Sequence, residues 1–226
     1  MKRLILIFIL FIAAAGTAAA QDAPYKFDFG VALGMSGYLG DANRSSLLHS
    51  PGFTAELNSR YIYDSRWAFR AVLGVISLKG NTADMDDVLP DMQNIKFSST
   101  VVDFGVRGEF NFLPYGIGET YKALRRISPY ITLGIGACVS LSDGTSAIAP
   151  TIPVGIGVKY KVSQRMNLSA EFTMTKAFGD KVDGKNLSDL NQIKTDFYKN
   201  TDWYSRLTIG FTYEFGERCT TCHYVD

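Results

Sequence analysis

Apolar and polar residues alternate along most of the chain with a period of two, the pattern of a β-strand that has one apolar face. In the stretch from Trp203 to Phe215, odd-numbered positions are mostly aromatic or aliphatic and even-numbered positions are mostly polar or small. The stretch 67–79 alternates less cleanly but is still strand-like. The pattern predicts eight strands, at 25–36, 51–62, 67–79, 98–113, 129–141, 151–161, 166–177 and 202–215.

The connections between these strands differ in length on the two sides of the predicted sheet. Tight turns are predicted at 63–66 and 162–165, and 114–128 is a longer connection with a short helix around 120–126. The opposite side has longer, mostly polar loops, at 37–50, 80–97, 142–150 and 178–201. An even strand count with short turns on one rim and long loops on the other is typical of bacterial outer-membrane barrels. The sequence therefore predicts an all-β fold, an eight-stranded antiparallel up-and-down transmembrane β-barrel.

Alternation alone does not show which face points inward. A soluble barrel of the lipocalin type has an apolar lumen and a polar exterior, whereas a membrane barrel has a polar lumen and an apolar exterior. Aromatic residues gather near the predicted strand ends, as in the two interfacial belts of membrane proteins. We assign to the turn rim Tyr25, Tyr61, Trp67, Tyr115, Tyr130, Tyr160 and Phe215, and to the loop rim Tyr38, Phe178 and Trp203. This placement favours the membrane orientation.

The polar face is rich in glycine and carries both signs of charge, which suits a narrow lumen filled with side chains better than a solvated surface. The planar guanidinium of arginine satisfies carboxylates well in such a confined space. We predict a lumen ion-pair network made of Glu56, Arg60, Asp103, Arg107, Glu109, Glu171, Arg206 and Glu214. Asp28, Arg70 and Lys159 lie on the same face, and Cys138 is predicted to lie there too. A lumen closed in this way excludes a porin.

The two ends of the chain differ from its middle in their sequence pattern. Residues 1–20 combine a charged start, a short apolar run and Ala18-Ala19-Ala20, which predicts a secretory signal peptide. Residues 21–215 then form the barrel, and 216–226 form a short periplasmic tail. The last strand ends on Phe215, as in the C-terminal strands that outer-membrane barrels present for assembly. The predicted location is the bacterial outer membrane, with both termini in the periplasm.

Composition excludes one class of partner. Lys plus Arg total 23 and Asp plus Glu total 22, a formal net charge of +1. A chain so balanced creates no strong field for nucleic acid. Aromatic residues at 13% and 21 glycines agree with a β-rich chain with many turns.

The tail carries Cys219, Cys222 and His223, the C-x-x-C-H spacing of covalent c-type haem attachment. A haem also needs a pocket and usually a distal ligand, but the tail has no Met and the other histidine, His49, falls in the first long loop. The same three residues supply at most three metal ligands, so the case for a metal site is weaker still than the case for haem. We therefore predict no cofactor and no metal, and interpret the tail as a partner-binding segment. It docks on, or forms a disulfide with, a periplasmic protein; an internal disulfide is the alternative.

One enzymatic alternative rests on the first loop, where His49 is near Ser45, Ser46, Ser50 and Asp41. Some outer-membrane barrels modify lipids with Ser and His at the outer rim, which keeps a lipid-modifying enzyme as the alternative. Loops often bring such residues together by composition alone. The prediction is that the protein is not an enzyme.

Several motifs, in this order, resemble those of the PorG-like outer-membrane barrels of Bacteroidota. They are YLGD at 38–41, SRWAFRAVLG at 65–74, EFNFLPY at 109–115, SPYITLGIG at 128–136, IPVGIGVKYKVSQRMNLSAEF at 152–172, and DWYSRLTIGFTYEF at 202–215 before a cysteine-bearing tail. The resemblance implies a component of the type IX secretion system that anchors a periplasmic PorK/PorN-like ring to outer-membrane lipid. It also implies that the tail, together with the 114–128 turn, is the contact surface.

Overall fold

In the computed structural model, the residues described are 25–39, 51–81, 96–117, 124–142, 145–178 and 202–217. They form the strands β1 (Tyr25–Leu39), β2 (Gly52–Ile62), β3 (Trp67–Asn81), β4 (Lys96–Asn111), β5 (Ile127–Ser142), β6 (Thr145–Lys161), β7 (Met166–Ala177) and β8 (Asp202–Glu217). Within these ranges there is no helix long and apolar enough to cross a membrane.

Each strand pairs antiparallel with the next, and β8 pairs with β1 to close the sheet into a barrel. Closure gives every strand two neighbours, so the barrel has no free edge. In the closing pair Tyr25 lies opposite Glu217 and Leu39 lies opposite Trp203. The predicted eight-stranded antiparallel up-and-down barrel is confirmed.

The connection between β5 and β6 differs from the prediction. Residues 142–150 were expected to form a loop, yet β5 extends to Ser142 and β6 starts at Thr145. Ile148 points outward with 77% of its surface exposed, whereas Ala149 is buried inside. The stretch therefore alternates, but its small residues give too weak a hydrophobic signal for the pattern to be seen in the sequence.

The apolar face of the sheet points away from the barrel axis, as predicted. Ile135, Ile209 and Phe104 are 72%, 63% and 58% exposed, although each is a large apolar side chain. The residues on either side of Phe104 and on either side of Ile209 are buried. A contiguous apolar exterior of this extent marks a surface that contacts membrane or protein, and the soluble lipocalin-type orientation is excluded.

The predicted turn-rim aromatic belt is only partly right. Four of its members point outward and are exposed, namely Tyr61, Trp67, Tyr160 and Phe215. Two others, Tyr115 and Tyr130, are buried inside the barrel, so their assignment to the belt is wrong, whereas Tyr25 is buried at the rim, where Arg165 donates to its hydroxyl. These tyrosines were misassigned because a tyrosine hydroxyl at a strand end finds hydrogen-bond partners in a polar lumen as readily as at a membrane interface.

At the loop rim Trp203 is exposed and Phe178 is half-buried, while the Tyr38 side chain lies outside the described residues. Aromatic contacts on the outer face include Trp67 against Phe110, with ring centroids 4.8 Å apart. The predicted helix around 120–126 lies mostly outside the described residues; Arg125 forms a bridge with Tyr115.

β3 carries apolar side chains on both of its faces, with Arg70 as the charged residue of the inner one, which explains why its sequence alternates poorly. Its inward-pointing Val72, Ile76 and Leu78 are each at most 1% exposed. Two of these belong to a group that we call the apolar cluster, which consists of Ile76, Leu78, Val101, Cys138, Ala149, Ala177 and Tyr204. The cluster fills the lumen toward the loop rim, so the barrel interior is apolar at one end and ionic below it.

Cys138 gives a simple test of this interior. With Cys219→Ser and Cys222→Ser in the same chain, Cys138 is the sole remaining cysteine of three. Because the Cys138 side chain is buried, we expect maleimide to label it very slowly in the folded barrel and rapidly after boiling in detergent. Ile148→Cys in that background is the control and should label readily when folded. Equal labelling of the two positions in the folded state would contradict this interior.

Candidate functional site

Charged side chains fill the lumen between the apolar cluster and the turn rim. In the described ranges, six cations and six carboxylates point inward, and each is at most 7% exposed. This lumen network consists of Arg60, Arg70, Arg107, Lys159, Lys161 and Arg206 with Asp28, Glu56, Asp103, Glu109, Glu171 and Glu214. The charges balance, as burial of this many ions requires.

Glu171 on β7 lies at the centre of the network. Arg70 donates to both of its carboxylate oxygens, at 2.6 and 2.7 Å, and Arg107 donates at 3.2 Å. The hydroxyls of Tyr130 and Thr173 also donate to it, both at 2.8 Å. One carboxylate therefore holds side chains from four other positions on four strands.

Two glycines on the lumen face make room for these large side chains. A Cβ atom added at Gly157 would lie 2.6 Å from Cζ of Tyr130, which lies opposite it in the register. A Cβ added at Gly134 would lie 2.8 Å from Cγ of Arg107. Glycine at these two positions is therefore explained by packing, since any side chain there would displace a member of the network.

Glu109 on β4 extends the network toward the turn rim. It pairs with Lys159, lies 3.2 Å from Nε of Arg60 and lies 3.9 Å from Nη1 of Arg70. Arg60 in turn pairs with Asp28 on β1. The carboxylate of Glu109 is therefore the shared counter-charge of three buried cations.

Arg206 on β8 closes the other end. Its Nη1 lies 3.0 Å from Glu56 and 3.1 Å from Asp103, and Asp103 also lies 3.6 Å from Nη2 of Arg107. Arg206 is fully buried directly below the apolar cluster, where its guanidinium lies 5.8 Å from the ring of Tyr204. The ion pairs thus run without interruption from Asp28 near the turn rim to Glu56.

A second, smaller group closes the turn rim. Lys161 pairs with Glu214 at 2.6 Å, and Asn167 donates to the same carboxylate at 2.9 Å. Tyr115 donates its hydroxyl to Asn167 at 2.8 Å. Burial raises the pKa of Tyr115 above its usual range, so the hydroxyl keeps its proton and remains a donor.

One cavity inside the lumen is small. It has a volume of about 20 Å³ and lies between Asp28, Asn111, Tyr115 and Lys159 near the turn rim. This is enough for a single water molecule. The buried side chains of the lumen network and of the apolar cluster occupy the described lumen on either side of its middle.

The packed lumen predicts an electrically silent protein. After reconstitution into planar bilayers, we expect the purified barrel to give no stepwise current, because the lumen network and the apolar cluster block the axis in series. An open porin in the same bilayers is the control. Reproducible current steps that depend on the barrel's concentration would contradict a closed lumen.

All eight residues predicted for the ion-pair network lie inside the barrel and are buried, and each contacts at least one charged partner. Lys161, Tyr130 and Asn167 also belong to the site, although the sequence analysis did not assign them to the lumen. Their register was the available signal, since they stand an even number of positions from Lys159, from Thr132 and from Glu171 respectively.

The other predicted functional residues lie outside the described residues. These are Cys219, Cys222 and His223, which are predicted to bind a partner, together with His49 and its neighbours and the predicted signal peptide. In the ranges that the structure describes, no group of three or more His, Cys, Asp and Glu side chains is arranged to hold a metal ion.

Solved structures with a similar fold are bacterial outer-membrane proteins. Neisserial surface protein A (NspA) matches with a TM-score of 0.53 at 14% identity, over 84% of this chain and 97% of NspA. Ail of Yersinia pestis, in complex with the heparin analogue sucrose octasulfate, matches with a TM-score of 0.47 at 13% identity, over 84% and 99%. OprG from Pseudomonas aeruginosa matches with a TM-score of 0.47 at 11% identity, over 87% and 100%.

At these identities, the likeness to NspA shows a shared fold and nothing about activity. No curated protein matches the sequence. The fold is thus that of the eight-stranded outer-membrane barrels, while the PorG-like resemblance stays a prediction. A family model described as "Domain of unknown function (DUF6089)" matches residues 2–224, nearly the whole sequence. The chain belongs to the DUF6089 family.

Proposed function

We propose that this protein is a non-enzymatic barrel of the bacterial outer membrane that serves as a structural anchor. The observation that carries the proposal is an apolar exterior around a lumen packed with buried ion pairs. The exterior suits lipid, because only a closed barrel or a helix satisfies its backbone hydrogen bonds within a bilayer. The packed lumen leaves the rims as the surfaces through which the barrel acts.

The turn rim is the surface that we assign to partner binding. Arg165, in the turn between β6 and β7, lies 2.5 Å from Glu217 at the end of β8. Glu217, the last described residue, therefore lies beside the short turns. The connection between β4 and β5 is on the same rim, which supports one contact surface made of the tail with Cys219 and Cys222 and of that connection.

The partner that we propose is a periplasmic ring of the PorK/PorN type, in a type IX secretion complex. Support comes from the order of the sequence motifs that resemble PorG-like barrels, and from a rim on which the β8 end and the long β4–β5 connection meet. In this arrangement both termini lie in the periplasm. The barrel holds the ring at the outer membrane and transports nothing through its own lumen.

The test is co-purification from detergent-solubilised native membranes, before and after crosslinking. We expect the wild-type barrel to bring down periplasmic ring proteins, and the variant with Cys219→Ser and Cys222→Ser to lose most of them. Cys138→Ser is the matched control, because it also replaces a thiol but inside the barrel. Unchanged association in the double variant would remove the role of the tail thiols. A wild-type barrel that brings down no secretion component would remove the secretion role.

A further inference from the structure

A groove opens on the turn rim where the connection between β4 and β5 returns to the barrel. Leu113, Arg125, Arg126 and Ile127 line it, and its volume is about 440 Å³. We call it the rim groove. Unlike the cavity inside the lumen, it is open to the outside and far too large for one water molecule.

The backbone that carries the two arginines is fixed. Arg125 donates its N–H to the carbonyl of Pro114 at 2.7 Å, and its own carbonyl accepts from Gly116 at 3.0 Å. The carbonyl of Arg126 accepts from the N–H of Lys161 at 2.8 Å. The groove is thus built on hydrogen-bonded backbone, which places two consecutive arginines at the rim.

Both arginine side chains are exposed, and no carboxylate of the described residues forms an ion pair with either. Arg165 on the same rim differs, because it is paired with Glu217 at 2.5 Å and also donates to the hydroxyl of Tyr213. Two neighbouring cations without a described counter-charge form a local positive site, although the whole chain has a net charge of only +1. Such a site suits an anion.

The other half of the groove is apolar. Leu113 is 42% exposed and Ile127 is 53% exposed. Ile127 is the first residue of β5 and lies opposite Tyr160, itself an exposed member of the outer apolar face. The groove therefore begins where the apolar exterior ends, so a ligand there contacts apolar side chains on one side and guanidinium groups on the other.

We propose that the rim groove binds the headgroup of an anionic phospholipid, with the start of an acyl chain against Leu113 and Ile127. A guanidinium donates two parallel hydrogen bonds to phosphate, and basic pockets at a membrane edge bind anionic lipid headgroups. A lipid fits better than a free phosphate, because only a lipid uses both halves of the groove. This inference rests on the proposed placement of the barrel in a membrane.

The experiment compares lipid retention by the intact, detergent-solubilised barrel in native mass spectrometry. The probes are phosphatidylglycerol, which is anionic, and phosphatidylethanolamine, which is zwitterionic. We expect the wild-type barrel to retain phosphatidylglycerol preferentially, and Arg125→Gln with Arg126→Gln to weaken that retention about tenfold. The control removes the same charge elsewhere on the rim, through Lys26→Gln with Arg165→Gln, and should weaken retention far less.

Each outcome decides the matter. Equal losses in the two double variants would show a diffuse charge effect and overturn the proposal, as would a wild-type barrel with no preference between the lipids. If the Arg125 and Arg126 variant keeps its lipid but loses a periplasmic protein, the groove is a protein contact and the proposal is wrong. Displacement of the lipid by inorganic phosphate alone would also overturn it.

Insertion into lipid vesicles is measured separately for every variant, by the faster gel mobility of the unheated barrel. A barrel that does not insert at all removes the proposed membrane function, whereas an inserted barrel without a lipid preference removes only the rim-groove inference.

Discussion

Glu171→Gln is expected to destabilise the barrel strongly. The substitution removes one negative charge from a site that holds Arg70 and Arg107. Two buried guanidinium groups then lose their main counter-charge, and breaking a buried ion pair by removing one partner typically costs about 3–5 kcal/mol. The measurement is the urea midpoint of the vesicle-inserted barrel, followed by tryptophan fluorescence and by the mobility of unheated samples.

The control is Glu217→Gln, which also neutralises a carboxylate that pairs with an arginine. Glu217 and Arg165 are exposed at the turn rim, where water screens the pair, so the midpoint should hardly change. If both substitutions lower the midpoint by similar amounts, the lumen network does not hold the barrel together in the way described.

Ile209→Arg is expected to have the second large effect, on the outer face. Ile209 lies near the middle of β8 and is 63% exposed. An arginine on the lipid-facing side near the bilayer midplane costs about 2–4 kcal/mol. We expect a lower urea midpoint in vesicles and a smaller yield of folded protein.

The matched control is Val162→Arg, which adds the same side chain at an exposed apolar position in the turn after β6. Near the interface this change costs only about 0–1 kcal/mol. An outer face that met water instead of lipid would tolerate Ile209→Arg as well as Val162→Arg, and that result would contradict the membrane orientation.

The fold was predictable because the barrel exterior and lumen are chemically opposite. Along β8, Trp203, Leu207 and Phe211 alternate with Arg206, Thr208 and Thr212, and the structure places the two sets on opposite faces. The period of two is then visible without any knowledge of the partner strand. Opposite charges on the inward set also indicated a packed lumen rather than an apolar ligand cavity.

The prediction was weaker where one face changes character along the barrel. The inner face of β3 carries Arg70 but also Ile76 and Leu78, because the lumen passes from ionic to apolar toward the loop rim. The turn-rim tyrosines were misplaced for a related reason. Tyr130 donates to Glu171 inside the barrel, and a single sequence does not show which of two polar environments a phenol will reach.

The sequence also did not predict which side chains would pair with each other inside the lumen. Glu171 meets Arg70 from a strand 101 residues away in the chain, and only the closed barrel brings them together. The sequence indicated that carboxylates and cations share the lumen. It did not show that Glu171 would be a centre of the network while Lys161 and Glu214 pair with each other nearer the turn rim, since this depends on how the strands are staggered.

The most direct test of the central claim uses the two natural tryptophans as depth probes. Trp67 and Trp203 are the only tryptophans in the sequence, and both point outward from opposite rims of the barrel. In vesicles made with brominated phospholipids, we predict strong quenching of their fluorescence by bromine on the acyl chains and weak quenching by aqueous iodide. Quenching by iodide with none from the brominated chains would contradict a lipid-facing exterior.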